Sequence, residues 1–540
     1  MRRALPLLCL VAIFAAACTS DKKAPEQGRV MVIGIDGGTW TMIDPLMKAG
    51  QLPNLKKLHD EGLHGVLESR NPIISPVVWT TIFTGFGWEA HGVKDWKTSQ
   101  STHRKVNAIW QITRKAEKKT SVFNVPSTWP PEPVLGVMVS GFPLSGSTFA
   151  GNTGEVVMKA DLDAGKLPSV YKDSLEEVRK NLLPLENGKW SNWFPGKVAS
   201  RPSFKGVVRG MRLSDEKFYL TPMYRNDDAL VITEPKQVRG ELAAKLGEPY
   251  IPEGPGWSRW EDEDTPTYLY QHLDQVFSIQ SKAALEYVSK PWDLFLYVMT
   301  FVDRVSHPYW AYGHAADYPG LDLEKAKKSE TAVADSYRRS DEELGRILAA
   351  AEGEYYVMIV SDHGFQSSAD RSKAIGTHNP DGIYMLWGPG ISPKEGQRTF
   401  IEDVTPTILY LMGLPAGRDM EGTLFPDVHA MIGRQPTFIE TYEVADRDAT
   451  DEPVDDATWE QLRGLGYVDG APPRAAGKDG KPAKPGDAAK PGAPKPEKGA
   501  PKPKPDAATP PAAAAMPDKA PAAEPEPGTP GAGAHDDHAH

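Results

Sequence analysis

The segment VMVIGIDGG, residues 30–38, decides the fold class. Its first six residues are apolar and mostly β-branched, interrupted only by Gly34, which is typical of a parallel strand buried on both faces. Similar strands are predicted at 121–125, 293–301, 355–360 and 382–387, and helices are predicted at 53–61, 107–118, 331–351 and 404–412. This alternation of strands and helices predicts an α/β sheet covered by helices on both faces.

Carboxylate and imidazole side chains follow the ends of these strands. In chain order they are Asp36, Asp303, His307, Asp362, His363 and His378. Because ligands bind beyond the carboxyl ends of the strands in an open α/β sheet, we expect these side chains to converge at one edge. Each of them alone is also typical of a helix cap, a surface turn or a structural histidine, so the prediction depends on the whole set.

The combination of carboxylates and imidazoles is suited to zinc, with manganese or iron as alternatives. Two divalent ions would outweigh the charge of the three aspartates, and the loaded site would attract an anion. Two ions about 4 Å apart can hold both the attacking and the leaving oxygen of an in-line displacement. The sequence therefore predicts two divalent metal ions, preferably Zn²⁺, acting on a phosphate-ester substrate.

The nucleophile is predicted in PIISPVVWTTIFTG, residues 72–85. Pro76 is typical of the first turn of a helix, which places Ser75 at the N-cap, where its oxygen would meet the positive helix end and one metal. Both effects favour the alkoxide, so Ser75 is predicted as nucleophile and metal ligand. The alternative is a capping role alone. Thr80 and Thr81 are rival nucleophiles, but a hydroxyl within a helix tends to bond back to the backbone.

The N terminus resembles a bacterial lipoprotein signal. Arg2 and Arg3 precede an apolar run, 5–17, which is shorter than the roughly 20 residues of a membrane-spanning helix. Small residues then lead to Cys18. Since Cys9 would leave with the signal, Cys18 would be the only cysteine of the mature chain, and no disulfide-linked partner is expected. We predict lipidation of Cys18 and anchoring in the outer membrane, facing the periplasm, with a plain secretory signal as the alternative.

Composition divides the 540 residues into several parts. We predict a signal peptide at 1–17, a tether at 18–28, a core at 29–150 and 265–470, an inserted cap at 151–264 and a disordered tail at 471–540. The tryptophans of the insertion could stack on a base, line a lipid groove or fill a core. The tail is rich in Pro, Ala, Lys and Gly, which bury too little apolar surface to fold. Its histidines, His535, His538 and His540, could sequester metal weakly, but an idle hydrophilic tail is the preferred interpretation.

The motifs resemble the alkaline phosphatase superfamily and, within it, the type I phosphodiesterase/nucleotide pyrophosphatase family. They are GIDGGTW (34–40), SPVVWTTIFTG (75–85), HG (91–92), FVDRVSHPYW (301–310), SDHGF (361–365), GTHNPDGIY (376–384) and DVTPTILYLMGLP (403–415). The resemblance covers about 29–150 and 266–470 and implies an alkaline-phosphatase-like, mostly parallel sheet. It further implies one metal held by Asp303, His307 and His378. The second metal would be held by Asp36, Asp362 and His363, together with the Ser75 oxygen.

The resemblance implies hydrolysis of phosphate esters through a phosphoseryl intermediate, with two departures from the family pattern. Val78 stands where the diesterases carry an asparagine that holds a phosphoryl oxygen, and Pro76 has no N–H to offer. No arginine can be assigned to the phosphate, so the choice between monoesters and diesters stays open. Transfer of a phosphoryl or phosphoglycerol group and non-catalytic binding by a surface lipoprotein are alternatives. The net charge of −11 argues against binding of a nucleic-acid duplex.

Overall fold

The computed structural model describes residues 24–141, 149–150, 154–199, 203–226, 230–252 and 265–443. The predicted signal peptide with Cys18, most of the tether and the predicted tail lie outside these ranges. So do Trp257 and Trp260 of the predicted insertion. Among the helices of the described ranges, none has the length and apolar composition required to cross a membrane.

The strands and helices are labelled in chain order. The strands are β1 (Val30–Ile35), β2 (Leu63–Glu68), β3 (Thr120–Phe123), β4 (Val137–Val139), β5 (Phe149–Ala150), β6 (Glu155–Met158), β7 (Phe194–Lys197), β8 (Lys205–Val208), β9 (Gly210–Arg212), β10 (Lys217–Leu220), β11 (Met223–Arg225), β12 (Thr233–Glu234), β13 (Leu294–Met299), β14 (Tyr356–Val360), β15 (Gly364–Ser367), β16 (Gly376–Asn379), β17 (Asp381–Trp387), β18 (Lys394–Glu395), β19 (Thr399–Phe400), β20 (Ala416–Gly417) and β21 (Phe438–Ile439). The α-helices are α1 (Trp40–Lys48), α2 (Pro53–Glu61), α3 (Ser75–Thr84), α4 (Trp88–His91), α5 (Ile109–Lys115), α6 (Lys159–Asp163), α7 (Leu175–Leu182), α8 (Val238–Leu246), α9 (Thr265–Val288), α10 (Phe301–Gly313), α11 (Leu323–Lys327), α12 (Ala332–Ala350), α13 (Val404–Leu411) and α14 (Pro426–Ile432).

A ten-stranded sheet with the order β12-β4-β3-β13-β1-β14-β17-β2-β18 forms the centre of the fold, and β19 also pairs with β2. Strands β4, β3, β13, β1 and β14 run parallel to one another, whereas β17 pairs antiparallel with both of its neighbours. Met31 and Ile33 pack into one apolar cluster with α1, α2, α9, α10 and α12, and Val30 and Val32 pack into a second cluster with α3, α5 and α13. The predicted mostly parallel α/β sheet with helices on both faces is therefore confirmed.

The predicted strands and helices are all present, with ends that differ by a few residues. The predicted strand 293–301 ends at Met299, because α10 already begins at Phe301. The predicted helix 107–118 is shorter and spans Ile109–Lys115. Such differences arise at the ends of elements, where capping contacts rather than apolar periodicity determine the first and last residue.

The register of three adjacent strands fixes the edge at which the polar side chains emerge. Ile35 of β1 pairs with Met299 of β13, and Gly34 pairs with Val360 of β14. These parallel strands therefore end at nearly the same level. The residues that follow each of them, including Asp36 and Asp362, share the carboxyl edge of the sheet.

The region predicted as an insertion, together with β5 directly before it, contains two small antiparallel sheets, β6-β10-β9 and β5-β11-β8-β7. The chain leaves the central sheet after β4 and returns to it in β12, where Thr233 pairs with Val139. Next to this pair, the Ser140 N–H donates a 2.9 Å hydrogen bond to the Ile232 carbonyl. The points of departure and return thus lie side by side at one margin of the sheet.

The two described tryptophans of this region are half-buried and pack against the core. Trp190 and Trp193 pack against the apolar cluster on the α9 side of the sheet. Their indole N–H groups donate hydrogen bonds to Gln271 and Glu248, at 3.0 and 3.3 Å. Of the roles considered for these side chains, the structure favours packing in a core.

A buried histidine joins both small sheets to α9. His272 of α9 lies with Nδ1 2.9 Å from the hydroxyl of Tyr219 in β10 and with Nε2 3.1 Å from the hydroxyl of Tyr224 in β11. A neutral imidazole has one donor and one acceptor nitrogen, so it can satisfy both hydroxyls. Burial, together with the charge of Arg209, lowers the pKa of His272 to about 3.

We expect His272 to make the folded protein sensitive to acid. Below pH about 6.5 the unfolded chain binds a proton at this histidine that the folded protein excludes, so the free energy of unfolding falls by up to about 1.4 kcal/mol per pH unit until about pH 3. In His272→Gln this contribution disappears, so the free energy of unfolding should change less steeply with pH between pH 5 and 7. Urea unfolding at several pH values measures both slopes. Parallel slopes for wild type and variant would contradict this expectation.

Candidate active site

The six predicted carboxylate and imidazole residues converge at the carboxyl edge of the sheet. One group contains Asp36, Asp362 and His363, whose ligand atoms all lie within 4.8 Å of one another. His363 Nε2 lies 3.5 Å from Asp36 Oδ1 and 3.4 Å from Asp362 Oδ2. This is the group that the family resemblance implies for the second metal.

The other predicted group surrounds Asp303, in the first turn of α10. Asp303 Oδ1 lies 3.3 Å from His307 Nε2 and 3.2 Å from His378 Nε2, and these two nitrogens are 2.9 Å apart. Asp303 and His307 are four residues apart, so they share one face of the helix. His363 Nε2 is also 4.0 Å from Asp303 Oδ1, so this imidazole lies between the two groups.

A hairpin brings His378 to the site. β15 follows directly after His363 and pairs with β16, in which His378 lies opposite Phe365. The rings of His363 and His378 stack with centroids 3.6 Å apart. Two histidines that are distant in sequence thus reach the same centre through one antiparallel pair.

Three of these side chains have one polar atom fixed by the backbone and another that faces the centre. His378 Nδ1 lies 3.0 Å from the Ile73 carbonyl and His363 Nδ1 lies 3.1 Å from the Gly364 carbonyl, which leaves Nε2 as the ligand atom. The Gly37 N–H donates to Asp362 Oδ1 at 3.2 Å. Among the described residues, Asp303 Oδ1, Asp362 Oδ2 and His363 Nε2 are buried without a hydrogen-bond partner. Such unsatisfied, converging ligand atoms fit divalent metal ions.

The pKa shifts of the site residues also fit a centre that binds divalent metal ions. Burial and the charge of Asp303 raise the pKa of Asp36, and burial with the charges of Asp36 and Asp303 raises the pKa of Asp362 well above its usual value. Burial acts in the same direction on Asp303, but the imidazoles, first that of His307, hold its pKa well below the usual value. Burial lowers the pKa of His363, so its ring is neutral and available as a ligand.

Ser75 faces this cluster from α3. Its Oγ lies 3.5 Å from Asp36 Oδ1, and the side chain is buried. The predicted N-cap position is wrong by one residue: Ile74 is the N-cap, because its carbonyl already accepts the Val77 and Val78 N–H groups. The Ser75 hydroxyl makes no capping hydrogen bond and points to Asp36 instead.

The rival hydroxyls are held within the helix, as their sequence positions indicate. Thr80 Oγ1 donates to the Pro76 carbonyl at 2.6 Å, and Thr81 Oγ1 donates to the Val77 carbonyl at 3.2 Å. Val78 is buried in the apolar cluster beneath the helix, so this position offers no polar group to a substrate.

Sequence reasoning missed two residues of the site. Trp79 donates its indole N–H to Asp36 Oδ2 at 3.0 Å. Arg304, next to Asp303, is buried and close enough to Asp36 and His307 to act on both electrostatically. The spacing of Trp79, four residues after Ser75, was the available signal, because such a pair shares one helix face.

Comparison with known proteins gives a family and several relatives. The family model for type I phosphodiesterase/nucleotide pyrophosphatase matches residues 30–380. A segment of 108 residues is 39% identical to a 2,3-bisphosphoglycerate-independent phosphoglycerate mutase of Dinoroseobacter shibae, and the match spans only 19% of this chain and 19% of the mutase. The chain is also similar to the structure of a phosphonate monoester hydrolase from Silicibacter pomeroyi, with 12% identity, a TM-score of 0.35 and coverage of 76% and 78% of the two chains. For human ectonucleotide pyrophosphatase/phosphodiesterase 5 the identity is 9%, the TM-score 0.38 and the coverage 75% and 99%.

We expect Asp36→Asn to stabilise protein that has been stripped of metal with a chelator. Because the pKa of Asp36 is raised by folding to about 8, the stripped wild type loses stability as the pH rises from about 4 to about 8. Asparagine remains neutral, so the variant should unfold at a higher temperature at pH 8 with chelator. With zinc the wild type should unfold at the higher temperature, because the variant lacks one anionic ligand.

Thermal unfolding at pH 8, with chelator and with zinc, measures both effects. Asp44→Asn in α1, away from the cluster, is the control and should respond to zinc like the wild type. A stripped wild type that is more stable than Asp36→Asn at pH 8 would count against the electrostatic account.

Proposed function

Because the chain belongs to the type I phosphodiesterase/nucleotide pyrophosphatase family of phosphoester hydrolases, we propose that it hydrolyses phosphate esters through a phosphoseryl intermediate at a two-metal centre. The observation that carries the proposal is the position of Ser75 Oγ, 3.5 Å from Asp36 Oδ1. Asp36 belongs to the buried cluster of candidate metal ligands, so this hydroxyl lies next to the centre where a phosphoryl group would bind.

The donor set supports two divalent ions, with zinc as the expected metal. Asp303, His307 and His378 would hold one ion, and Asp36, Asp362 and His363 would hold the other, next to the Ser75 oxygen. When bound, the ions would supply positive charge that neutralises phosphate oxygens and favours the serine alkoxide. The imidazoles of His378 and His363 bond to backbone carbonyls through Nδ1, which orients Nε2 toward the centre.

The proposed reaction has two steps. The Ser75 Oγ–P bond forms as the ester P–O bond breaks, and the alcohol leaves with a proton. A water molecule then forms a new O–P bond as the Ser75 Oγ–P bond breaks, which releases phosphate, or a phosphate monoester from a diester, and restores the serine. The position of Ser75 at the first residue of α3 places the reacting oxygen at the positive end of the helix.

Ser75→Ala should abolish turnover while leaving metal binding nearly intact. The loss of the covalent nucleophile should lower kcat on a chromogenic monoester and a chromogenic diester by at least about 10³-fold, because the hydroxyl next to the Asp36 carboxylate is then missing. Acid quenching of wild type during turnover should trap a phosphorylated Ser75, identified by mass spectrometry.

Thr80→Ala is the matched control, since Thr80 is on the same helix and bonds only to the backbone. This variant should retain kcat within a few-fold. Near-full activity of Ser75→Ala would refute the assignment of the nucleophile. A wild type with neither stoichiometric metal nor turnover would instead support a binding function, and a transferase would show itself by phosphoryl transfer to an added alcohol.

We also propose that the protein is exported and anchored in the outer membrane through acylated Cys18, which would place the active site in the periplasm. In fractionated cells, Cys18→Ala should move the protein from the membrane to the soluble fraction. Cys9→Ala, within the predicted signal, should leave it in the membrane. Retention of Cys18→Ala in the membrane would contradict the lipid anchor.

A further inference from the structure

α3 carries a second residue that contacts the site. Trp79 follows Ser75 by four residues, so the two side chains project from the same helix face. Trp79 is fully buried, and its indole N–H donates to Asp36 Oδ2 at 3.0 Å. Ser75 Oγ lies 3.5 Å from the other oxygen, Oδ1. One helix therefore contacts both oxygens of the same candidate metal ligand.

The packing around the indole fixes its orientation. Its edge lies against β1 at Gly34, where a Cβ atom would be only 2.4 Å from Trp79 Cη2 and 2.9 Å from Cζ3. The ring also stacks on Phe83, with centroids 5.8 Å apart and an angle of 17° between the planes. Because Gly34 lies two residues before Asp36, the strand that ends in the carboxylate also makes room for the group that contacts it.

The chemistry of indole makes this contact selective. Its N–H is a donor only and does not lose its proton in the physiological range, so it neither binds a divalent ion nor changes charge with pH. It occupies Oδ2 and leaves Oδ1 directed at Ser75 and at His363 Nε2, which is 3.5 Å away. A side chain without the N–H would let the carboxylate rotate about its terminal torsion, which is only weakly restricted.

We propose that Trp79 is a positioning residue that holds Asp36 Oδ1 toward one of the two metal ions and toward Ser75. The inference rests on the proposed two-metal function and specifies how one of its ligands is oriented. Groups that hydrogen-bond a metal ligand typically contribute 10- to 100-fold in metal affinity. The effect of Trp79 should therefore fall on the ion held by Asp36, Asp362 and His363.

Trp79→Phe retains an aromatic ring in the core and removes the N–H. With the full mature chain and zinc alone as probe, competition against a chromogenic chelator should show one dissociation constant raised about 10- to 100-fold and the other nearly unchanged. On a chromogenic phosphate ester at subsaturating zinc, kcat should fall with the lost ion. At saturating zinc, kcat should stay below the wild-type value while KM changes little, because Asp36 is misoriented rather than absent.

Trp110→Phe is the matched control. Trp110 belongs to the same apolar cluster, is buried and donates its indole N–H to a carboxylate oxygen of Glu132 at 2.8 Å, away from the candidate site. Both variants lose one buried indole hydrogen bond, so their melting temperatures in chelator should fall by similar amounts. Only Trp79→Phe should weaken zinc binding.

A zinc affinity of Trp79→Phe equal to that of Trp110→Phe would overturn the proposal. An equal increase in both zinc dissociation constants would also overturn it, because it would indicate general disruption of the site. Gly34→Ala offers a second approach. It retains the indole N–H, but the added Cβ occupies the space of the ring, so this variant should selectively weaken binding of the same zinc ion. Turnover by the wild type tests the proposed function separately. A wild type that binds two zinc ions without hydrolysing either ester would refute hydrolysis, while the ratio of zinc dissociation constants would still decide the role of Trp79.

Discussion

The arrangement of this protein depends on an electrostatic constraint: three buried carboxylates share one edge of the sheet. Asp36, Asp303 and Asp362 are each almost fully excluded from solvent. Burial of like charges at such short range is unfavourable unless cations or protons compensate it. The protein supplies only part of that compensation, through the imidazoles and Arg304. The remainder is left to protons, as the raised pKa values of Asp36 and Asp362 indicate, or to cations bound at the centre.

The surrounding elements meet this constraint by fixing one polar atom in four of the six candidate ligands. A backbone N–H holds Asp362, an indole holds Asp36, and backbone carbonyls hold the imidazoles of His363 and His378. These contacts come from different parts of the chain, including the loop before α3 and the β15–β16 hairpin. The geometry of the centre is thus a property of the whole sheet edge rather than of any single motif.

Much of this could be predicted from the sequence because its strongest signals are periodic or sit at strand ends. Apolar runs such as Val30–Ile35 identify the central strands. An acidic residue directly after such a run is therefore expected at the carboxyl edge of the sheet. The predicted N-cap of α3 was wrong by one residue, because the cap is the residue whose carbonyl accepts the first helical N–H groups. That residue is Ile74 rather than Ser75. The spacing of Ser75 and Trp79 indicates a shared helix face, but the contact of Trp79 with Asp36 also depends on how α3 packs across β1, which the spacing does not give. The small sheets were missed because their strands are short and only weakly apolar.

The adjacent departure and return of the chain at β4 and β12 has an evolutionary consequence. A segment whose two ends are joined by the hydrogen bond between Ser140 and Ile232 can change in length or sequence without shifting the strands that carry the site. Its interior has an apolar cluster of its own, which includes Val157, Leu182 and Phe218, while His272 of α9 ties it to the rest of the fold through Tyr219 and Tyr224. The segment and the strands that carry the candidate site are consequently encoded in separable stretches of the gene. Grafting the segment from a relative onto this sheet would exchange one without rebuilding the other.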